Sequence, residues 1–208
     1  ETRADDGFAI RAEALLAAAT PRTRGILINT PCNPTGAVMA EDELAYVAGE
    51  ASRRGIWIVV DLCYEKLIYG HVAHNIPAVL ARVCPDRAVI CGSASKAYAM
   101  TGWRLGWTIG PAEVIAAQAA IQSHTTSNVS SIAQKAAVAA LTGSQDPVDT
   151  MRAAYLERRD RLCDWLSGGA RLRYQKPAGA FYLFVDVSRA LSPHGLPTSV
   201  AFAEALLS

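Results

Sequence analysis

The chain has 208 residues, 51% of them hydrophobic and 19% charged, with a formal net charge of +1. That length buries one full core and part of a second, while a near-neutral balance with scattered arginines gives no field to attract nucleic acid or a membrane surface. No apolar run reaches the roughly 20 residues that span a bilayer, so a soluble protein with a small-molecule partner is expected. The cysteines Cys32, Cys63, Cys84, Cys91 and Cys163 are odd in number and contain no C-x-x-C pair. Free thiols in a reducing cytoplasm fit that spacing better than disulfides or a zinc ribbon. The chain opens at Glu1 and stops at Ser208 inside an apolar helical pattern, and both ends are expected to be cut.

Thr23–Asn29 reads as a strand, followed by the loop Thr30-Pro31-Cys32-Asn33-Pro34-Thr35-Gly36, where two prolines and a glycine forbid regular structure. From Glu41 to Arg54 the apolar positions Leu44, Val47, Ala48 and Ala51 recur at helical spacing, with Gly55 as the stop. Ile56–Val60 and Arg87–Cys91 are continuous β-branched and apolar runs that read as buried parallel strands, the first closing on Asp61 and the second on Gly92-Ser93. A further strand is predicted at Trp103–Ile109 and helices at Pro111–Ile121, Ser131–Leu141 (serine-capped) and Pro147–Leu166, the last with Met151, Tyr155, Leu162 and Leu166 on one side. Gly168-Gly169 breaks the chain, and Phe181, Leu183, Val185 and Val187 alternate with Tyr182, Phe184 and Asp186 as in a half-buried strand. Strands alternating with helices predict an α/β chain, a three-layer α/β/α domain with a mainly parallel sheet, and such sheets bind ligands outside the carboxyl ends of their strands. Residues 1–168 would form this domain and 169–208 the beginning of a smaller α+β C-terminal domain.

The chemistry gathers behind the second buried run. In Ser93-Ala94-Ser95-Lys96-Ala97-Tyr98-Ala99-Met100-Thr101-Gly102-Trp103-Arg104-Leu105-Gly106, a lysine follows a strand end, with hydroxyls before it and an arginine eight positions later. A lysine amine forms a Schiff base with a carbonyl, and hydroxyls with a guanidinium fork suit phosphate oxygens. Taken singly these residues carry little: a lysine is usually a solvated surface group, Asp61 could cap a turn, Asn33 is at home in a turn, and Tyr64 could be a core aromatic. His71 and His74 form H-x-x-H without a third ligand, and Cys63 reads as a small buried hydrophobe.

Together, Asn33-Pro34-Thr35-Gly36, Asp61-x-x-Tyr64, Ser93-x-Ser95-Lys96 and Gly102-Trp103-Arg104-x-Gly106 resemble the class I/II aminotransferases, which are fold type I enzymes of pyridoxal 5'-phosphate (PLP). The resemblance implies that Lys96 holds the cofactor as a Schiff base and serves as general base. It implies that Asp61 pairs with the pyridine nitrogen, that Tyr64 and Asn33 hydrogen-bond the ring's phenolic oxygen, and that Ser93 and Arg104 hold the phosphate. It also implies a homodimer exchanging an amino group between an amino acid and a 2-oxo acid. Ala99–Arg104 resembles the bacterial aspartate aminotransferase-like branch; yet Gln122–Ser131 lacks the arginine with which another aspartate aminotransferase branch reads the side-chain carboxylate. The resemblance runs on through Gln122–Leu141 and Pro177-Ala178-Gly179-Ala180-Phe181-Tyr182, yet about half of a typical member is covered, and the substrate-carboxylate arginine and ring-stacking aromatic fall outside that half. Carbon–sulfur lyases and cyclopropane-carboxylate synthases share the fold, as does the PLP-binding sensor domain of some transcriptional regulators.

Overall fold

The computed structural model describes residues 1–169 and 172–208. Helix α1 (Ala12–Ala18) leads into strand β1 (Gly25–Asn29), helix α2 (Glu41–Arg53), strand β2 (Trp57–Asp61), helix α3 (Ile76–Val83) and strand β3 (Ala88–Ser93). β1 and β2 run parallel with Asn29 opposite Asp61, and β2 and β3 run parallel with Asp61 opposite Cys91. The carboxyl ends of three neighbouring strands therefore open onto one edge, as expected of a mainly parallel sheet.

Helix α2 shows why this half folds as its pattern predicts. Glu41, Asp42 and Glu43 sit in its first turn and Arg53 in its last, matching the macrodipole. Leu44, Val47, Ala48 and Ala51 form one wholly buried stripe. Gly55, at φ 70°, takes the left-handed conformation that ends the helix without a Cβ clash. The stripe packs with Ile76, Val79 and Leu80 of α3 against Ile28, Ile58, Val60 and Ile90 of the sheet. On the other face of β1, Leu27 is 73% exposed.

Helix α4 (Ala94–Ala97) follows β3 directly, and strand β4 (Gly106–Ile109) returns antiparallel to β3 with Ser93 opposite Gly106. The strand is shorter than the predicted Trp103–Ile109: Thr101–Trp103 forms a 3-10 turn and Arg104 is left-handed at φ 53° and ψ 48°, so pairing begins only at Gly106. Ala94, Met100 and Ala137 then pack with Leu105 and Trp107. Ala137 comes from α6 (Ser131–Thr142), which follows α5 (Ala112–Thr125). Neither α5 nor α6 has a side-chain N-cap, and Ser130 rather than Ser131 occupies the cap position of α6.

Helix α7 (Asp146–Ser167) buries Val148, Cys163 and Leu166, and lays Met151 and Tyr155 against a second cluster around Tyr64 and Leu67. Leu162 departs from the predicted apolar side and is 42% exposed. Beyond it come the short antiparallel pair β5 (Arg173–Tyr174) and β6 (Val185–Asp186), then α8 (Ser188–Leu191) and α9 (Ser199–Leu207). Of the alternating run expected as a strand, only Val185–Asp186 is paired in one. The backbone just before that run is committed elsewhere: Ala178 N and Gly179 N donate to Gly36 O, and Ala180 N donates to Leu67 O. Phe181 and Tyr182 consequently both pack into the second cluster instead of alternating between faces.

Candidate active site

Asn29, at the end of β1, ties two loops together. Its Nδ2 donates to Asp61 O at 3.3 Å and its Oδ1 accepts from Asn33 N at 2.7 Å. Asp61, at the end of β2, turns one carboxylate oxygen onto its own loop, where Oδ1 accepts from Cys63 N at 2.8 Å. That is the turn-capping bond expected of an aspartate at a strand end. It also sends the chain into Tyr64, which is buried.

Ser93, at the end of β3, caps α4. Its Oγ accepts from Ser95 N at 3.0 Å and donates to Leu105 O at 3.4 Å. The single turn of α4 then brings Lys96 toward the aromatic cluster, its Nζ 6.0 Å from the Tyr64 ring centre and 5.4 Å from that of Phe181. Among the described residues Lys96 forms no salt bridge with a carboxylate. Its charge therefore faces π-electron density rather than a counter-ion.

Tyr64 Oη lies 2.7 Å from Tyr182 Oη, and Asn33 Nδ2 donates to Tyr182 Oη at 3.4 Å. Burial holds the Tyr64 phenol well above its ordinary pKa of 10.0, so it stays protonated. Burial also pushes up the Cys63 thiol, while a hydrogen bond with Ser93 and the charge of Lys96 act the other way. A thiol so disposed is no thiolate nucleophile.

Arg104 stands at the rim. Its guanidinium is exposed, and Nη1 donates to Thr101 O at 3.0 Å. Its connection to Ser93 runs through the backbone, by way of the Ser93–Leu105 bond and the Ser93–Gly106 pairing. Thus Asn33, Asp61, Tyr64 and Lys96 are drawn together by direct or one-residue contacts, Ser93 anchors the lysine turn, and Arg104 reaches the others only through the chain. A separate cavity of about 580 Å³, between Phe8, Arg173, Phe184 and Leu191, is lined by none of the six. Among the described residues no three His, Cys, Asp or Glu side chains group as a metal site.

The family model for class I and II aminotransferases matches residues 1–208. The chain belongs to the class I and II aminotransferase family. It is 42% identical to the aspartate aminotransferase of Geobacillus stearothermophilus over 96% of this chain and 51% of that protein. It is 40% identical to the aspartate/prephenate aminotransferase of Cereibacter sphaeroides over 98% of this chain and 52% of that protein. The solved aspartate aminotransferase of Thermus thermophilus with maleate superposes with a TM-score of 0.90 at 38% identity, covering all of this chain and 52% of that one. The chain therefore spans about half the length of the family members it matches.

Three residues at this site lie outside the four motifs; two of them, Phe181 and Tyr182, fall in the Pro177–Tyr182 stretch that also resembles the family but to which the resemblance assigns no role. Asn29 sits one position before the loop, and its only signal is a polar residue closing a short apolar run. Phe181 and Tyr182 lie 85 and more positions beyond Lys96, in a run whose alternation imitates a strand.

Proposed function

We propose that this chain carries the cofactor-binding half of the site of a PLP-dependent aminotransferase, aspartate aminotransferase-like in substrate class, that moves an amino group between an amino acid and a 2-oxo acid. The observation that carries the reading is Lys96: an amine without a carboxylate partner among the described residues, three residues beyond a strand end, facing a phenol-and-amide group made by Asn33, Tyr64 and Tyr182. The donor set fits PLP. A lysine amine takes the aldehyde, a carboxylate at Asp61 suits a pyridinium, two neutral donors suit a phenolate, and a hydroxyl with a guanidinium suits a phosphate. When bound, PLP supplies an electron sink for the charge left at the substrate Cα.

In this reading Lys96 holds the cofactor, and once its amine is free it takes the proton from Cα and returns it. Asp61 keeps the pyridine nitrogen protonated. Tyr64 and Asn33 donate to the phenolic oxygen, and their neutrality lets them do so across the whole working pH range. Ser93 and Arg104 fix the phosphate, with Arg104 the only full charge of the pair and therefore the larger contributor to cofactor affinity. The exposed Ile121 and Ile132 and the half-exposed Leu141 of α5 and α6 support a homodimer. The five free cysteines support a reducing compartment.

The test is addition of PLP to the protein and to Lys96→Ala, followed by absorption spectroscopy and by assay of amino transfer from aspartate to a 2-oxo acid. A Lys96-dependent absorption band with formation of the new amino acid is expected. A band with release of ammonia or a thiol instead would assign the chain to a lyase of the same fold. No Lys96-dependent band at all would end the PLP reading.

A further inference from the structure

We infer that Tyr182 is a positioning residue of this site: its hydroxyl, held by Asn33 and in contact with Tyr64, orients the Tyr64 phenol and strengthens it as a hydrogen-bond donor. The inference rests on the PLP reading and adds a residue that the four sequence motifs do not contain.

The direction of the bonds follows from counting protons. Asn33 Nδ2–H donates to Tyr182 Oη at 3.4 Å, which occupies one lone pair of that oxygen. The two phenol oxygens are 2.7 Å apart, so one proton lies between them. A phenol has a single proton to give. If Tyr64 spends its own on a ligand, the bridging proton comes from Tyr182. The chain then runs from Asn33 through Tyr182 to Tyr64, and each donor in such a series polarises the next by roughly 10–30%.

Tyr182 is fixed by the backbone before it rather than by its hydroxyl. Gly36 O accepts from Ala178 N at 3.1 Å and from Gly179 N at 2.9 Å, Ala180 N donates to Leu67 O at 2.8 Å, and Tyr69 N donates to Ala178 O at 2.8 Å. The Tyr182 ring is 4.8 Å from Phe181 and 5.7 Å from Tyr64, centre to centre. A phenylalanine in its place keeps the ring contacts and loses only the hydrogen bonds. The titratable groups facing this pair are Lys96 and Cys63 on the Tyr64 side, with Tyr69, Tyr155, Arg158 and Arg159 lining the small cavity on the Tyr182 side.

The experiment is a pH titration of the visible absorption of the PLP-loaded protein in wild type, Tyr64→Phe, Tyr182→Phe and the double variant, alongside thermal melting. A donor that stabilises the anionic ring oxygen lowers the titration midpoint, and removing or weakening it raises the midpoint. Tyr64→Phe should give the larger rise and Tyr182→Phe a rise of about half a pH unit. In the Tyr64→Phe background, Tyr182→Phe should add nothing, because its effect passes through the Tyr64 hydroxyl. An unchanged midpoint in Tyr182→Phe, or the same rise in both backgrounds, overturns the inference. A midpoint rise accompanied by a collapse in melting temperature also overturns it, since that marks a structural role. A wild type without a Lys96-dependent band overturns the PLP reading first and this inference with it, a result distinct from the others.

Discussion

The carbonyl of Gly36 accepts the N–H of Gly179 at 2.9 Å, joining the loop that carries Asn33 to the loop that carries Tyr182. Nothing larger than glycine fits at position 36. The residue is buried at φ 69°, and a Cβ there would overlap Pro177 Cβ and approach Gly179 O to 2.7 Å. Gly36→Ala combines a left-handed backbone strain with a backbone clash, each worth about 1–3 kcal/mol. Denaturant unfolding should show a loss of at least about 2 kcal/mol, and, on the PLP reading proposed above, the protein that remains folded should bind PLP more weakly, because Asn33 and Tyr182 no longer meet. Wild-type stability in this variant would mean that the two loops are not locked together.

His74 makes the same loop sensitive to acid. Its Nε2 is 3.2 Å from Oγ1 of the fully buried Thr30, and that oxygen also accepts from Met39 N at 2.9 Å. With the Thr30 hydroxyl donating to a neutral imidazole every group is satisfied; a protonated imidazole leaves the hydroxyl proton without an acceptor. Burial lowers the His74 pKa from 6.5, with the nearby Glu41 carboxylate opposing. A base whose folded pKa lies below its unfolded one contributes stability that is complete above the unfolded value and is lost as pH falls through it toward the folded value. Stability measured by urea unfolding should therefore fall from about pH 7 to about pH 5 more steeply in wild type than in His74→Gln. Parallel pH curves would remove His74 from the account.

Gly92 is a second point of close approach. A Cβ on it would run into the Trp107 indole, overlapping Nε1 and Cε2 and coming within 2.8 Å of Cζ2. Because Gly92 adjoins Ser93, which caps the turn bearing Lys96, Gly92→Ala should displace both the indole and that cap. A destabilisation of about 1–3 kcal/mol with a changed tryptophan emission is expected. An unaltered emission spectrum would show that the indole can yield without disturbing β4.

What could be read from the chain and what could not divide along physical lines. Asp61 and Ser93 were legible as candidates because each closes a β-branched or apolar strand run, and Lys96 because it follows Ser93 by three residues; the ends of parallel strands are where such a sheet places its ligand. The stripe of α2 was legible because Leu44, Val47, Ala48 and Ala51 obey helical spacing and are all buried. The part Tyr182 plays was hidden by its neighbours, although Pro177–Tyr182 itself resembles the family. Phe181 to Val187 alternate convincingly, but strand pairing needs free backbone groups, and the loop leading into this run is already hydrogen-bonded to Gly36 and Leu67. Likewise, Trp103–Leu105 has the composition of a strand, but Trp103 ends a 3-10 turn and the left-handed Arg104 follows it. No residue type announces that conformation, since a non-glycine side chain rarely adopts it.

Tyr69 supplies a prediction at the alkaline end. Its hydroxyl donates to Ala180 O at 2.5 Å, and the Arg159 guanidinium, which also donates to Pro177 O at 2.9 Å, sits 4.8 Å above its ring. Burial pushes the Tyr69 pKa from 10.0 up to about 12, although the charge of Arg159 pulls it down. An acid whose folded pKa is raised contributes stability that is fully present below its unfolded value and is lost as pH climbs from there through the folded value. At neutral pH, Tyr69→Phe should cost about 1–3 kcal/mol, the penalty for leaving Ala180 O buried without its donor. Between pH 10 and about 12, wild type loses the contribution of the protonated phenol while the phenylalanine variant has none to lose. The stability gap between the two, followed by urea unfolding, should therefore narrow across that window. A gap that stays constant would mean that Tyr69 ionises no later in the folded protein than in the unfolded chain, and that its bond to Ala180 does not hold the loop bearing Tyr182.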